Sequence, residues 1–289
     1  MPLSNSNSQT QATESKLSVI GFIGAGNMAN SLIRGMIAKG AEKTSIWAAD
    51  LDSAKLATLK SECGIKTVSS AEIAKTADII VLAVKPQVMK IVCAELNKLL
   101  GERSPLIISI AAGITASHLG QWLGASTAIV RCMPNTPALV GKGASGLYAN
   151  EHASRAQKEL AEKVMSSVGI CVWVEQESAI DAITALSGSG PAYFFLFMES
   201  MQKSAQEMGL TEDIARTLTY QTALGAAELA IASDESTERL RLNVTSPGGT
   251  TEQAIKQFQL GNLSELVDTA LKSAQARSIQ LAAQLDEKS

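Results

Sequence analysis

The chain is poor in the residues that anchor several kinds of chemistry. It has two histidines in 289 residues, His118 and His152, far apart in sequence, so a histidine-based metal site is not expected. Its four cysteines, Cys63, Cys93, Cys132 and Cys171, are scattered without a C-x-x-C pair. Four reduced, mostly buried thiols in a reducing compartment are the expectation. The net charge is −3 and no long basic run occurs, which argues against nucleic-acid binding. No run of about eighteen apolar residues appears, so no membrane span is expected. Residues 1–15, MPLSNSNSQTQATES, are polar and of low complexity and lack the apolar core of a signal peptide. They read as a disordered tail, with a cytoplasmic location as the default. Aromatics make up only 4%, while alanine, leucine and isoleucine are plentiful, which favours helix-rich packing.

What is present is a chain with 46% hydrophobic content, long enough for one large or two moderate domains. Its first half alternates short apolar runs with helical patterns. Strands are predicted at Leu17–Ile23, Ser45–Ala49, Asp78–Val84, Leu106–Ile110, Ala128–Arg131 and Val168–Val174. Helices are predicted at Asn27–Lys39, about Ser53–Cys63 and near Val88–Leu100. Apolar strands without alternation, separated by helices, imply a parallel sheet covered on both faces. This is the doubly wound α/β class.

In that frame GFIGAGNMA gains meaning. Gly24-Ala25-Gly26-Asn27-Met28-Ala29 fits G-x-G-x-x-G/A between the first strand and the first helix. Gly24 permits the tight turn, Gly26 lets a pyrophosphate approach the backbone, and Ala29 allows close helix–strand packing. Asp50 ends the second strand, where an acid accepts hydrogen bonds from the adenosine ribose 2′-OH. Asp50 and Asp52 would both repel a 2′-phosphate, and no arginine stands between Gly40 and Lys60, so the residues lean to NADH. Asp52 or Ser53 also reads as a cap of the following helix. Three further strand ends lie where open α/β sheets bind ligands: Lys85-Pro86, Ala111-Ala112-Gly113 and RCMPNTPAL, Arg131 to Leu139. Asn135 and Thr136 there could position a substrate or nicotinamide, or form a plain stiff turn.

The second half has no strand pattern. Helices are predicted at Tyr193–Met208, Ile214–Ala232 with a cap at Thr211, Thr251–Gln259 and Leu263–Leu285. The Phe194, Phe195, Phe197 and Met198 cluster reads as core or interface rather than a cofactor box. The division is a cofactor domain over residues 16–177 and a helical dimerisation domain over 178–289. Late in the chain stands NVTSPGGTTEQAI, Asn243 to Ile255. Its glycines, hydroxyls and helix start suit something small and negative.

The order GFIGAGNMA, AVKPQ, SIAAG, RCMPNTP, ALSGSGPAY and SPGGTT closely resembles the pyrroline-5-carboxylate reductase family, from Leu17 to about Gln284. The resemblance implies reduction of L-1-pyrroline-5-carboxylate to L-proline with NADPH or NADH, in an interlocked homodimer that often assembles further. It places the substrate carboxylate against Ser246, Gly248, Gly249 and Thr250, with the Thr251 hydroxyl at the ring nitrogen in an orienting role. It places cofactor contacts on Gly24, Ala25, Gly26, Asn27 and Met28, on Ala83, Val84, Lys85 and Pro86, and on Ala111, Ala112 and Gly113. Neither histidine falls in a matched motif, and no metal is implied. Two other readings stand beside it. A 3-hydroxyacid dehydrogenase would carry a lysine shortly after the glycines at Gly188 to Gly190, but the first lysine there is Lys203. A non-catalytic dinucleotide sensor would have no need of the turn around Ser246.

Overall fold

A computed structural model of the chain describes residues 18–286, so the expected N-terminal tail lies outside the described residues. The order is β1 (Ile20–Ile23), α1 (Asn27–Ala38), β2 (Ile46–Ala49), α2 (Ser53–Cys63), β3 (Lys66–Thr67), α3 (Ser70–Thr76), β4 (Ile79–Leu82), α4 (Pro86–Leu100), β5 (Leu106–Ser109), α5 (Ala116–Leu123), β6 (Ile129–Met133), β7 (Gly143–Ala149), α6 (Arg155–Met165) and β8 (Gly169–Trp173). Helices follow: α7 (Ala179–Ile183), α8 (Gly190–Glu207), α9 (Glu212–Ala232), α10 (Thr237–Asn243), α11 (Thr250–Leu260) and α12 (Leu263–Asp286). Among the described residues no strand occurs after Trp173.

The strands form one sheet in the order 3-2-1-4-5-6-7-8. Successive residues of β4 show why both faces are covered. Ile79 and Val81 point into a core with Phe22, Leu32, Ile33 and Leu59, whereas Ile80 and Leu82 pack with Ile73, Met89, Leu96 and Leu119 on the other side. Each such fully buried side chain contributes about 1.5–3 kcal/mol. Strands β1 to β6 run parallel, but β7 pairs antiparallel with β6, and β8 is parallel to β7. The expected parallel sheet is thus present with one antiparallel pairing, between β6 and β7. Strand β7, GASGLYA, carries too little apolar pattern to announce itself. Its glycines are there for room, since a Cβ at Gly143 would lie 2.9 Å from the Val168 carbonyl oxygen.

The chain reverses order between β1 and β4, so the crevice at their carboxyl ends is the topological switch point. The helical half leans on this sheet through α7 and α12. Ser278 of α12 donates to Asp181 Oδ1 of α7 at 2.6 Å, and Gly113 at the end of β5 faces Leu281 of α12. Beyond these contacts the helices bury little. Phe194, Phe195 and Leu196 are each more than 60% exposed. Of the phenylalanine cluster, expected as core or interface, Phe197 packs on Phe258 of α11 with ring centroids 5.9 Å apart, while Phe194 and Phe195 stay largely exposed in the protomer.

Candidate active site

The ends of β1, β2, β4 and β5 are laced edge to edge. The Gly24 N–H donates to Ala49 O at 2.8 Å, Ala83 N–H to Ile23 O at 2.8 Å, and Ile110 N–H to Leu82 O at 3.3 Å. This brings together three of the expected cofactor segments, Gly24 to Met28, Ala83 to Pro86 and Ala111 to Gly113. They differ in character. Gly26 and Met28 are half-buried and Asn27 and Lys85 are exposed, while Ala111 is buried in the core and Gly113 is buried against Leu281 of α12. Lys85 is the N-cap of α4 and Pro86 its first residue, so the lysine–proline pair starts a helix as well as ending a strand.

The two glycines of the first loop do different work. Gly24 has φ +101°, and a Cβ there would sit 2.6 Å from Ala83 O, so only glycine fits. Gly26 has ordinary extended geometry, and a Cβ there would meet nothing within 4 Å. It is the N-cap of α1, and no side chain caps that helix. Open space before an uncapped helix start is what a pyrophosphate requires. The residues present therefore fit a dinucleotide. Asp50 accepts from the Ala25 N–H at 2.6 Å and the Asp52 N–H at 2.8 Å. Asp52 caps α2 by accepting from Ala54 and Lys55, and the backbone bond from Lys55 holds its carboxyl below the usual range.

The loop after β6 turns out to be anchored. Asn135 donates to Ser187 O at 3.0 Å and accepts from the Ala144 N–H at 2.9 Å. Ser187 lies in a π-helical turn, Thr184–Gly188, where the regular helix bonding is broken. Its amide is thus spent on holding this turn against β7, and the plain-turn reading of Asn135 is the one the geometry favours. Sequence reasoning missed the neighbouring joint. Arg131, 3% exposed, pairs with Glu177 at 2.9 Å, and the same carboxylate oxygen accepts from the Ala116 N–H at 2.6 Å. The partners stand 46 residues apart, so no local signal exists. Glu177→Ala would strand a buried cation and leave the Ala116 N–H without its acceptor, and is expected to cost about 3 kcal/mol or more in denaturant unfolding; Glu177→Gln loses the charge but keeps an acceptor oxygen and should cost less.

The turn Ser246–Gly249 closes through the Gly249 N–H to Ser246 O at 3.0 Å, with Pro247 second and Gly248 third at φ +73°. That is the pattern of a type II turn. Helix α11 starts at Thr250, with Gly249 as an N-cap that no side chain completes. A carboxylate already sits on this turn, since the Gly248 N–H donates to Glu252 Oε2 at 2.8 Å. The donor set is therefore suited to carboxylates. Ser246, Thr250 and Thr251 are exposed, and a Cβ at Gly248 would meet nothing within 4 Å. The structure does not pack this turn against the glycine loop. A cleft of about 1240 Å³ lies between α1, the 136–140 turn and α9, and includes none of Ser246 to Thr251.

Other candidate catalysts are accounted for. His118 is buried, accepts from the Thr115 N–H at the start of α5 and stacks on Trp122. His152 lies against Glu151. The four cysteines are free. Burial pushes the Cys93 thiol up to about 12 and Cys171 to about 11, and raises Cys132 as well, so these three remain protonated at neutral pH. No group of three or more metal-ligating residues occurs among the described residues, and none of their helices is long and apolar enough to cross a membrane.

These features define a class: a Rossmann-type dinucleotide-binding sheet joined to a helical half with unfilled apolar faces. Comparison with known proteins narrows it. Residues 177–281 match the model for pyrroline-5-carboxylate reductase dimerisation, and residues 19–113 that for coenzyme F420-dependent NADP oxidoreductases. A pyrroline-5-carboxylate reductase of Pseudomonas aeruginosa is 51% identical over 269 residues, covering 93% of this chain and 98% of that protein. A solved pyrroline-5-carboxylate reductase from Coxiella burnetii superposes with a TM-score of 0.89 at 48% identity, covering 92% of this chain and 99% of that one. The Plasmodium falciparum pyrroline carboxylate reductase with NADP bound gives 0.81 at 30% identity, over 92% and 98%. The chain belongs to the pyrroline-5-carboxylate reductase family.

Proposed function

We propose that this chain reduces L-1-pyrroline-5-carboxylate to L-proline, the final step of proline synthesis, with NADH or NADPH as reductant. The observation that carries the reading is the near-complete alignment with the curated reductase of Pseudomonas aeruginosa. The glycine loop and the late turn supply its chemistry.

When bound, the nicotinamide cofactor supplies a hydride to the imine carbon. The chain's own residues position the reactants. Gly24 to Met28 receive the pyrophosphate at the head of α1, with Ala83 to Pro86 and Ala111 to Gly113 bordering the same crevice. Ser246, Gly248, Gly249 and Thr250 receive the substrate carboxylate, which takes the place of Glu252 on the Gly248 N–H and meets the Ser246 and Thr250 hydroxyls, while the Gly249 N–H keeps the turn closed on Ser246 O. Thr251, at the start of α11, holds the ring nitrogen in line through its hydroxyl. A threonine is too weak an acid to donate the proton, and neither histidine stands in a matched segment, so the imine enters already protonated. Catalysis then rests on orientation.

The assembly follows the same reading. The matched dimerisation model spans the helical half, and that half exposes Phe194, Phe195, Leu196, Leu218, Leu229 and Leu266. Patches of this kind mark protein–protein contacts. A homodimer buries them and carries a substrate turn to a cofactor crevice. Four free thiols are in keeping with a reducing, cytoplasmic setting.

Initial rates of cofactor oxidation with pyrroline-5-carboxylate, with proline measured in parallel, test the reading. One proline formed per cofactor oxidised is the expected result. No turnover with either cofactor would defeat it.

A further inference from the structure

The choice between the two cofactors is built into the turn after β2, given the reading above that the glycine loop holds a nicotinamide dinucleotide. Asp50 is not a freely swinging side chain. One carboxylate oxygen is fixed by the Ala25 N–H at 2.6 Å and the other by the Asp52 N–H at 2.8 Å. These donors come from the loop after β1 and the turn after β2, so both the position and the plane of the carboxylate are set. A carboxylate offers about four acceptor sites, so each oxygen retains capacity beyond its backbone bond.

A dinucleotide whose pyrophosphate lies at Gly26 places its adenosine ribose at the end of the second strand. The remaining acceptor sites of Asp50 suit a ribose 2′-hydroxyl. A 2′-phosphate would bring its negative charge to the same carboxylate. Asp50 could turn away only by releasing two charge-assisted hydrogen bonds.

The immediate neighbours add no unmatched positive charge, Ser53 contributing only a neutral hydroxyl. Asp52 is committed to the N–H groups of Ala54 and Lys55. The Lys55 ammonium stands 3.3 Å from Asp52, so its charge is already matched. Leu51, between the two acids, is fully exposed and has no donor to give a phosphate. No arginine occurs from Gly40 to Lys60. We infer that Asp50 is the specificity-determining residue for the cofactor, and that it selects NADH over NADPH by accepting from the ribose hydroxyl and excluding the 2′-phosphate.

Equilibrium titration of the full-length protein with NADH and with NADPH, followed by nicotinamide fluorescence without substrate, tests this independently of turnover. NADH is expected to bind at least about tenfold more tightly, since a fixed like charge at close range is worth that much even when partly screened. Asp50→Ser should collapse the ratio. Because Asp50 also braces the glycine loop, that variant could weaken both ligands, so the ratio is the quantity to read. Leu51→Arg leaves Asp50 in place and should tighten NADPH several-fold relative to NADH. Equal or tighter NADPH binding by the parent, or a ratio unmoved by both substitutions, would overturn the inference. An NADH preference in a protein that reduces no pyrroline-5-carboxylate would uphold this inference while defeating the proposed reaction.

Discussion

Gly26→Val is expected to abolish saturable cofactor binding while leaving the fold intact. The two halves of that statement have separate causes. Gly26 adopts φ −73° and ψ −178°, extended backbone open to any residue, and a Cβ there would meet nothing within 4 Å. Valine is thus accommodated without strain. Melting within about 2 °C of the parent is expected, as for a substitution worth under about 0.5 kcal/mol. The new methyl groups project into the space before α1, where the pyrophosphate must approach the backbone. Gly24→Ala is the contrasting case. Its φ of +101° and the 2.6 Å approach to Ala83 O mean that the fold itself must give way. Melting curves with NADH titrations of both variants separate the effects. Parent-like NADH affinity in Gly26→Val would remove the glycine loop from the cofactor site.

Thr251→Ala should do the opposite: keep cofactor affinity and lose turnover, by about a hundredfold in kcat/KM, the scale of misplacing a reacting group by an ångström. The side chain is exposed in the protomer, so its removal should cost the fold little. Unchanged kcat/KM would take Thr251 out of the site. The two variants also report on assembly. Helix α11 offers its turn to solvent, and in the proposed homodimer that turn meets the glycine loop of the partner subunit. Co-expression of Gly26→Val and Thr251→Ala chains should then restore measurable activity, because a mixed dimer holds one site with neither change. Failure to recover any activity would place the complete site within one chain.

Much of the fold was legible because it is locally encoded. The glycine loop, the apolar strands β1, β2, β4, β5 and β6 and the helix caps at Asp52 and Thr211 depend on neighbours in sequence, whereas the two-residue β3, Lys66–Thr67, carries no such pattern. What stayed hidden depends on distant partners. Strand β7 is glycine-bearing because α7 and the Val168 backbone crowd it, which no pattern within GASGLYA reveals. The Arg131–Glu177 pair and the anchoring of Asn135 by Ser187 and Ala144 join segments that only the folded chain brings together. The aromatic run at Tyr193 could be read as buried but not by what, since a helix apolar on most sides looks the same whether its own chain or a second copy covers it. For the candidate site, residue types at Ser246–Thr251 suggested an anion, and the family resemblance supplied which one.

The central claim is direct hydride transfer to the cyclic imine. The most direct measurement is a reaction run with the reduced cofactor carrying deuterium at the transferring position of its nicotinamide, followed by mass and NMR analysis of the product. One deuterium at the ring carbon next to nitrogen, the former imine carbon, in L-proline is the expected result. Proline without deuterium from either face of the cofactor, or no proline at all, would contradict the account.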